Sequence, residues 1–467
     1  MIKHGPLSSS IWVVLSLCLS LCFALPSTGD AQAAKADLTD PTPDNAEAIK
    51  LMHAAEILMW KKDLDGAQRQ LDDAAKIQPN QAYLWSGRAR IDSLRGNNAE
   101  AITDYGKELE YHPSESRMVY PEIIQIYNSM GQHKEALAAQ LRWAEADSDN
   151  PEPIRQLIDT LIDDGDATTA VKEVAAAHLT EVQRKDPNVQ VELGRAMLIA
   201  GDKTAGTAVL TAVLTSVQKN PDDDPCSCIS NDVAYYLADA DVELPLADKT
   251  ARQDVEQTSR ETRSWTLEDN SMLLRNRSLD LFNYWDTLGW VLFREDNLDE
   301  AFGYINAAWL NNPSSDFGTH LGEVLTAMGD RTRALGAYQL ALATIPVVDG
   351  QSVRASRLDL LARIDALKKD GVSSGVDDAA LQLKSLRRFD LGTHLGGDQS
   401  ANYRILLKNG NVVKVDPVNP KNTVDADLEL IARAKFTLYF PPKEDVQIVH
   451  YGTLNCHENR CELILGP

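Results

Sequence analysis

The stretch Phe282-Asn283-Tyr284-Trp285-Asp286-Thr287-Leu288-Gly289-Trp290-Val291-Leu292-Phe293 decides the fold. Trp285, Leu288 and Gly289 recur at helical spacing. After a polar turn, Ala301, Ile305 and Ala308 mark a second helix, which Pro313 ends. Two helices that cross closely need Gly or Ala at the crossing, a large residue fills the gap to the next pair, and Pro stops the second helix. The next unit follows at once, with Leu321, Gly322, Leu325 and Gly329, then Ala334, Tyr338, Ala341 and Pro346.

Working outward from this pair, the same theme returns from Ala46 to Pro346 roughly every 34 residues. Earlier units carry Ala54, Ala55, Leu58, Ala67, Leu71, Ala74 and Pro79; then Trp85, Ala89, Ala101, Tyr105 and Pro113. A third has Ile123, Ile124, Tyr127, Gly131 and Ala136; a fourth Leu157, Ile158, Leu161, Gly165 and Ala170; a fifth Leu193, Gly194, Met197, Gly201 and Leu210. A degenerate unit runs from Asn231 through Tyr235 to Trp265. The two strong units resemble the tetratricopeptide pattern nearly position for position. The fold class expected is therefore mainly α: a right-handed superhelical solenoid of tetratricopeptide-like helix pairs, followed by a small α+β C-terminal domain in the order strand-strand-helix-strand-strand.

The division that follows is a signal peptide over 1–33, N-terminal repeats over 46–220, a degenerate repeat with loops over 221–281 and strong repeats over 282–348. A capping helix over 352–369, a linker over 370–400 and a small module over 401–467 complete it. Two stretches break the rhythm and read as surface loops: the acidic Pro221-Asp222-Asp223-Asp224-Pro225 leading into Cys226-Ser227-Cys228, and Thr266 to Asn276. The capping helix would cover the last repeat's apolar edge. Gly371-Val372-Ser373-Ser374-Gly375 has linker composition.

In the C-terminal module Tyr403–Leu407 reads as a strand, Asn409-Gly410 as a two-residue hairpin turn, and Val412, Val413 and Val415 as the return strand. Asp425–Lys435 reads as a helix and Phe436–Phe440 as a strand stopped by Pro441-Pro442. Val446–Leu454 and Cys461–Leu465 form a second hairpin, and a Cys456–Cys461 disulfide across its loop would staple a module of only about 65 residues. The strand-strand-helix-strand order and Ala434-Lys435-Phe436…Phe440-Pro441-Pro442 look like the C-terminal domain of TonB-type energy transducers. More closely, the second half resembles the tail of secreted bacterial proteins that combine a transglutaminase-like domain with tetratricopeptide repeats. That likeness rests on Trp285–Trp290, on Asn231-Asp232-Val233-Ala234-Tyr235 and on Gly452-Thr453-Leu454-Asn455-Cys456…Cys461. The transglutaminase-like domain has no counterpart before the repeats, so the resemblance implies a repeat scaffold of the bacterial envelope and not the enzyme.

At the N-terminus, Lys3 and His4 precede an apolar run from Ile11 to Leu25 and an Ala31-Gln32-Ala33 cleavage pattern. The run is short of the ~20 residues of a bilayer span. An uncleaved anchor and a lipoprotein are the alternatives; Leu before Cys18 and Cys22 is bulkier than a lipobox accepts. A periplasmic or secreted location follows, where a disulfide is the default for Cys456 and Cys461. Metal binding with His457 is the competing reading, but C-x-C and C-x-x-x-x-C are not the usual zinc spacings. The formal charge of -23 repels nucleic acid and anionic membranes, which excludes both as partners.

No Walker loop, G-x-G-x-x-G, G-x-S-x-G or H-E-x-x-H occurs, so no catalytic residue, cofactor, metal or small-molecule substrate is assigned. Most of the histidines, His320 among them, have no cysteine near in sequence. The resemblance implies that residues two, five, nine and twelve of each unit line a concave groove. These include Tyr83 and Arg90, then Gln125 and Asn128, then Asn283, Asp286, Trp290 and Phe293. Trp290 and Phe293 are either exposed anchors for a peptide or packing against the next helix. The expected function is a non-enzymatic scaffold holding a protein or peptide. The alternatives are a hydrolase or transferase built on Cys226 or Cys456, and an accessory subunit of an outer-membrane or polysaccharide assembly machine.

Overall fold

The computed structural model describes residues 44–346, 351–393, 398–419, 425–436, 439–442, 444–458 and 460–466. The expected signal peptide lies outside them. The chain divides into two compact units, each taken by itself below: residues up to 161 with 168–192, and residues 162–167 with 193 onward.

The first unit is built from α1 (Ala46–Trp60), α2 (Leu64–Ile77), α3 (Leu84–Arg95), α4 (Asn98–Tyr111), α5 (Ser116–Ser129) and α6 (His133–Ala146). It also holds most of α7 (Glu152–Asp163) and α8 (Ala167–Ala176), the short α9 (Glu181–Lys185) and the start of α10 (Pro187–Ile199). From α1 to α6 each helix packs against the next in the chain. Ala48, Ala55, Ala67, Leu71, Leu84 and Ile91 form one core; Ala101, Tyr105, Val119, Ile123 and Trp143 form the next. The tight turns rely on left-handed residues, with Gly96 at φ 83° and Gly131 at φ 69°, which cost glycine nothing. The start of α3 is held from outside: buried Glu108 on α4 accepts the backbone N–H of Tyr83 (2.8 Å) and Ser86 (2.9 Å). Helix α9 is an addition to the repeat. Thr180 and Gln183 make a reciprocal capping box, and Gln183 Nε2 donates to Ala144 O at 2.9 Å and Asn150 O at 3.1 Å.

The second unit continues with α11 (Lys203–Lys219), α12 (Cys228–Asp239), α13 (Leu244–Thr262), α14 (Ser271–Arg294), α15 (Leu298–Asn311), α16 (Ser315–Ala327), α17 (Arg331–Thr344) and α18 (Gln351–Lys369). The helix pairs are those expected of a tetratricopeptide-like fold. Small residues stand at the crossings: a Cβ at Gly289 would overlap Ile305, and one at Gly322 would overlap the Tyr338 ring. Helix α18 packs against α17.

The C-terminal sheet comprises β1 (Arg388–Thr393), β2 (Gln399–Lys408), β3 (Asn411–Pro417), β4 (Gln447–His457) and β5 (Arg460–Leu465), antiparallel in the order β1-β5-β4-β2-β3. Helix α20 (Asp425–Ala432) follows β3, so strand-strand-helix-strand-strand describes β2 to β5. Three features differ from expectation. The stretch read as linker contains α19 (Ala379–Ser385), capped by Asp378, and strand β1. Strand β1 alternates exposed and half-buried positions too weakly for its apolar period to show in the sequence. The strand expected at Phe436–Phe440 is not found among its described residues. Only Lys435 bridges Asn411, while Phe436 and Tyr439 turn inward against Phe389. Thr266 to Asn276 is not a surface loop throughout: α14 begins at Ser271, and Leu267 and Leu274 are buried against Leu406 and Val449 of the sheet.

That apolar contact docks the sheet on the helices, and polar groups fix its position. Gln447 takes a bond from its backbone N–H to Thr262 Oγ1 (3.1 Å), and its side chain donates to Thr262 O (2.9 Å) and Arg263 O (2.7 Å). Buried His450 pairs with Asn311 Oδ1 at 2.8 Å and stacks on Phe282, while Asn311 donates to Tyr439 O at 2.6 Å. Burial holds the His450 imidazole down at about 4, so it is neutral and can donate to Asn311 at neutral pH.

Two glycines test the packing with opposite signs. Gly289→Ala should lower unfolding stability by ~1–3 kcal/mol through overpacking against Ile305. Gly106→Ala, in α4 with nothing near its Cβ position, should raise it by ~0.5–1 kcal/mol. Denaturant unfolding of each variant measures both.

Candidate functional site

Groove positions fall on the first helix of each pair, and their fate differs between the two units. In the first unit Tyr83, the left-handed residue before α3, is exposed, as is Arg90 one face further along. On α5 Gln125 and Asn128 are exposed while Ile123, Ile124 and Ile126 are buried. These four side chains present a polar and aromatic surface that the unit's own core does not use.

In the second unit the corresponding positions close on one another. Asp286 on α14 and His320 on α16 are 34 residues apart, one repeat length, so the same position on neighbouring first helices comes face to face. The His320 Nδ1 to Asp286 Oδ2 distance is 2.8 Å, and both side chains are 7% exposed. Trp290 stacks on the imidazole with ring centroids 4.3 Å apart and touches Phe293 at 5.0 Å. From α12, the Tyr235 hydroxyl lies 3.4 Å from His320 Nε2. Asn283 and Phe293 are half-buried. Trp290 and Asp286 are therefore not open anchors for a peptide: of the two readings of Trp290, packing against the next helix is the one found. Glycine at 289 lets α14 approach Ile305 of α15 closely.

The electrostatics follow from burial. Desolvation alone would lower the pKa of His320, but the Asp286 carboxylate more than offsets it and holds the imidazolium at about 9. Burial raises Asp316 to about 7, against the opposing field of His320. Burial likewise holds the Tyr235 hydroxyl protonated well above its ordinary range, with Asp239 and Asp286 adding to it. Asp286 Oδ1 has no hydrogen-bond partner among the described residues. A second buried acid, Asp254 on α13, bonds Ser230 Oγ at 2.9 Å, and desolvation raises it to about 8.

Hydrogen-bonded Tyr, His and Asp in one row have the components of proton-transfer chemistry. Here the row is covered by Trp290 and the flanking helices, so it ties α12, α14 and α16 together. The four described cysteines are paired as Cys226–Cys228 and Cys456–Cys461, which leaves no thiolate among them for nucleophilic catalysis in this state. No cluster of three or more metal-ligating side chains occurs among the described residues. The Asp286–His320 pair was not assigned from sequence; the signal for it was the identical phase of the two residues in consecutive units.

No family model matches this chain. No curated protein matches it either. Among solved structures it is similar to a tetratricopeptide repeat protein from Parabacteroides merdae, at 11% identity and a TM-score of 0.38, over 68% of this chain and 100% of that one.

The buried pair predicts the pH dependence of stability. Folding raises His320 from 6.5 to about 9, so its stabilisation is complete below pH 6.5 and is lost as pH climbs through 9. Asp316, raised from 3.8 to about 7, contributes loss in the same direction at lower pH. Unfolding free energy should therefore fall by ~3 kcal/mol between pH 6.5 and 9.5. Asp286→Asn should flatten that slope. Chemical denaturation across the range provides the comparison.

Proposed function

We propose that this chain is a non-enzymatic protein-binding scaffold of the bacterial envelope, and that α3 and α5 carry the surface that holds a protein or peptide. The observation that carries the reading is the exposed set Tyr83, Arg90, Gln125 and Asn128 on the first helices of neighbouring pairs. These positions are exposed, and the unit's apolar residues are buried behind them. Tyr and Arg are the residue types that contribute most at binding interfaces. In the second unit Asn283 and Phe293 are half-buried, and Asp286 and Trp290 are engaged with His320.

An envelope location is supported by the N-terminal segment's composition and by two disulfides, which belong to an oxidising compartment. Among the described residues no helix is long and apolar enough to cross a membrane. The likeness of the last module to TonB-type domains offers a second contact: β3 is an edge strand with Val413 exposed, open to strand addition beyond the Lys435 bridge. Association with an outer-membrane complex is the setting in which both surfaces would be used.

A photo-reactive residue at position 125 should cross-link one discrete envelope protein in intact cells, and the same residue at exposed position 110 on α4 should not. Tyr83→Ala with Arg90→Ala should reduce that adduct roughly tenfold, the effect of losing about 1.4 kcal/mol at an interface. Equal labelling from both positions contradicts the assignment.

A further inference from the structure

The two disulfides sit in opposite settings. Cys456 and Cys461 are direct partners across β4 and β5, and both are buried. Cys226 and Cys228 are separated by Ser227 alone and are both half-buried, in the loop that begins α12. Their ring holds Ser227 in the left-handed region at φ 60°.

The loop around Cys226 and Cys228 is anchored without the sulfur–sulfur bond. The Asp224 carboxylate accepts the N–H of Ile229 (3.0 Å) and Ser230 (2.9 Å), and Asp224 O accepts that of Ser227 (3.1 Å). On the other side Cys226 O accepts the Tyr284 hydroxyl and, at 3.4 Å, Arg277 Nη1. Tyr284 also lies 3.7 Å from Cys228 Sγ. Opening the bond therefore leaves both cysteines held next to each other, Cys226 by α14 and Cys228 as the first residue of α12. A pair that stays adjacent whether oxidised or reduced is what reversible exchange requires. A ring closed by one residue also restrains the unfolded chain less than a long one, so its contribution to fold stability is small.

We propose that Cys226–Cys228 is a thiol–disulfide exchange site that takes electrons from the dithiol of a protein partner. A partner thiolate attacks Cys226 Sγ. The Cys226–Cys228 bond breaks and its electron pair leaves on Cys228 Sγ, which lies 3.7 Å from the Tyr284 hydroxyl. The partner's second thiolate then attacks the partner sulfur of the mixed disulfide and expels the Cys226 thiolate. The partner dithiol is oxidised to a disulfide, the pair is reduced to two thiols, and the two protons released by the partner end on Cys226 and Cys228. Exposed Asp222 and Asp223 flank the site and disfavour anionic thiols, so neutral or cationic partner segments are selected. This activity is separate from the α3–α5 surface and stands or falls independently of it.

The oxidised full chain is treated with cysteamine or with glutathione, quenched by alkylation, and each cysteine pair followed by mass spectrometry. Cys226–Cys228 should be reduced at least roughly tenfold faster than Cys456–Cys461, with unchanged circular dichroism. Cysteamine should outpace glutathione, and the preference should shrink at high salt and with Asp222→Asn plus Asp223→Asn. An Arg-flanked peptide dithiol should become a disulfide as two thiols appear at 226 and 228, and should remain reduced with Cys226→Ser. Equal resistance of both pairs, loss of helix on reduction, a peptide left reduced by the unaltered chain, or free thiols at 226 and 228 after non-reducing purification would each overturn the proposal.

Discussion

Each helix of this chain can hide its apolar stripe only against the next helix, and the distance of closest approach is set by the residue at the crossing. Gly289 beneath Ile305 and Gly322 beneath Tyr338 fix that distance in the second unit. Once the crossing is fixed, residues one repeat length apart on neighbouring first helices must meet. Asp286 and His320 meet in this way, and their charge complementarity turns an inner wall that would otherwise be hydrated into a buried one. Trp290 is drawn into the same contact. In the first unit the equivalent positions Tyr83, Arg90, Gln125 and Asn128 are exposed and remain outside the core. One geometric rule thus produces a closed wall in one unit and an open one in the other, depending only on which side chains occupy equivalent positions.

The second unit adds a sheet, and the contact that holds it is apolar at its centre and polar at its margin. Leu267, Leu274, Leu406 and Val449 remove water, while Gln447, Asn311 and His450 fix the register. A neutral His450 is a consequence of that burial, just as a charged His320 is a consequence of its carboxylate. Two buried histidines in one unit thus lie on opposite sides of neutrality for reasons visible in their neighbours.

Much of this was legible in the sequence because helix-pair repeats advertise themselves through periodic small residues. Gly289, Ala301, Gly322 and Ala334 located the helix pairs, and Asn409-Gly410 located the β2–β3 turn. What escaped had weaker signals. Strand β1 is only half-buried, α9 depends on a four-residue capping box, and Leu267 and Leu274 are too few to show a period. The groove positions were taken from a family frame that assumes an unfilled inner wall. At those positions the side chains named around α3 and α5 are exposed, whereas Asp286 and Trp290 of α14 are buried, because the frame knows nothing of a carboxylate and an imidazole sharing one phase.

Residue-resolved hydrogen exchange on the full chain tests the central claim, that helices and sheet in the second unit form one cooperative body closed by its inner wall. The amides of α12, α14, α16 and β4 should exchange slowly and with a common free energy of opening, and Asp286→Asn should lower that value for all four together. Independent opening of β4, or an effect of the substitution confined to α14, would contradict it.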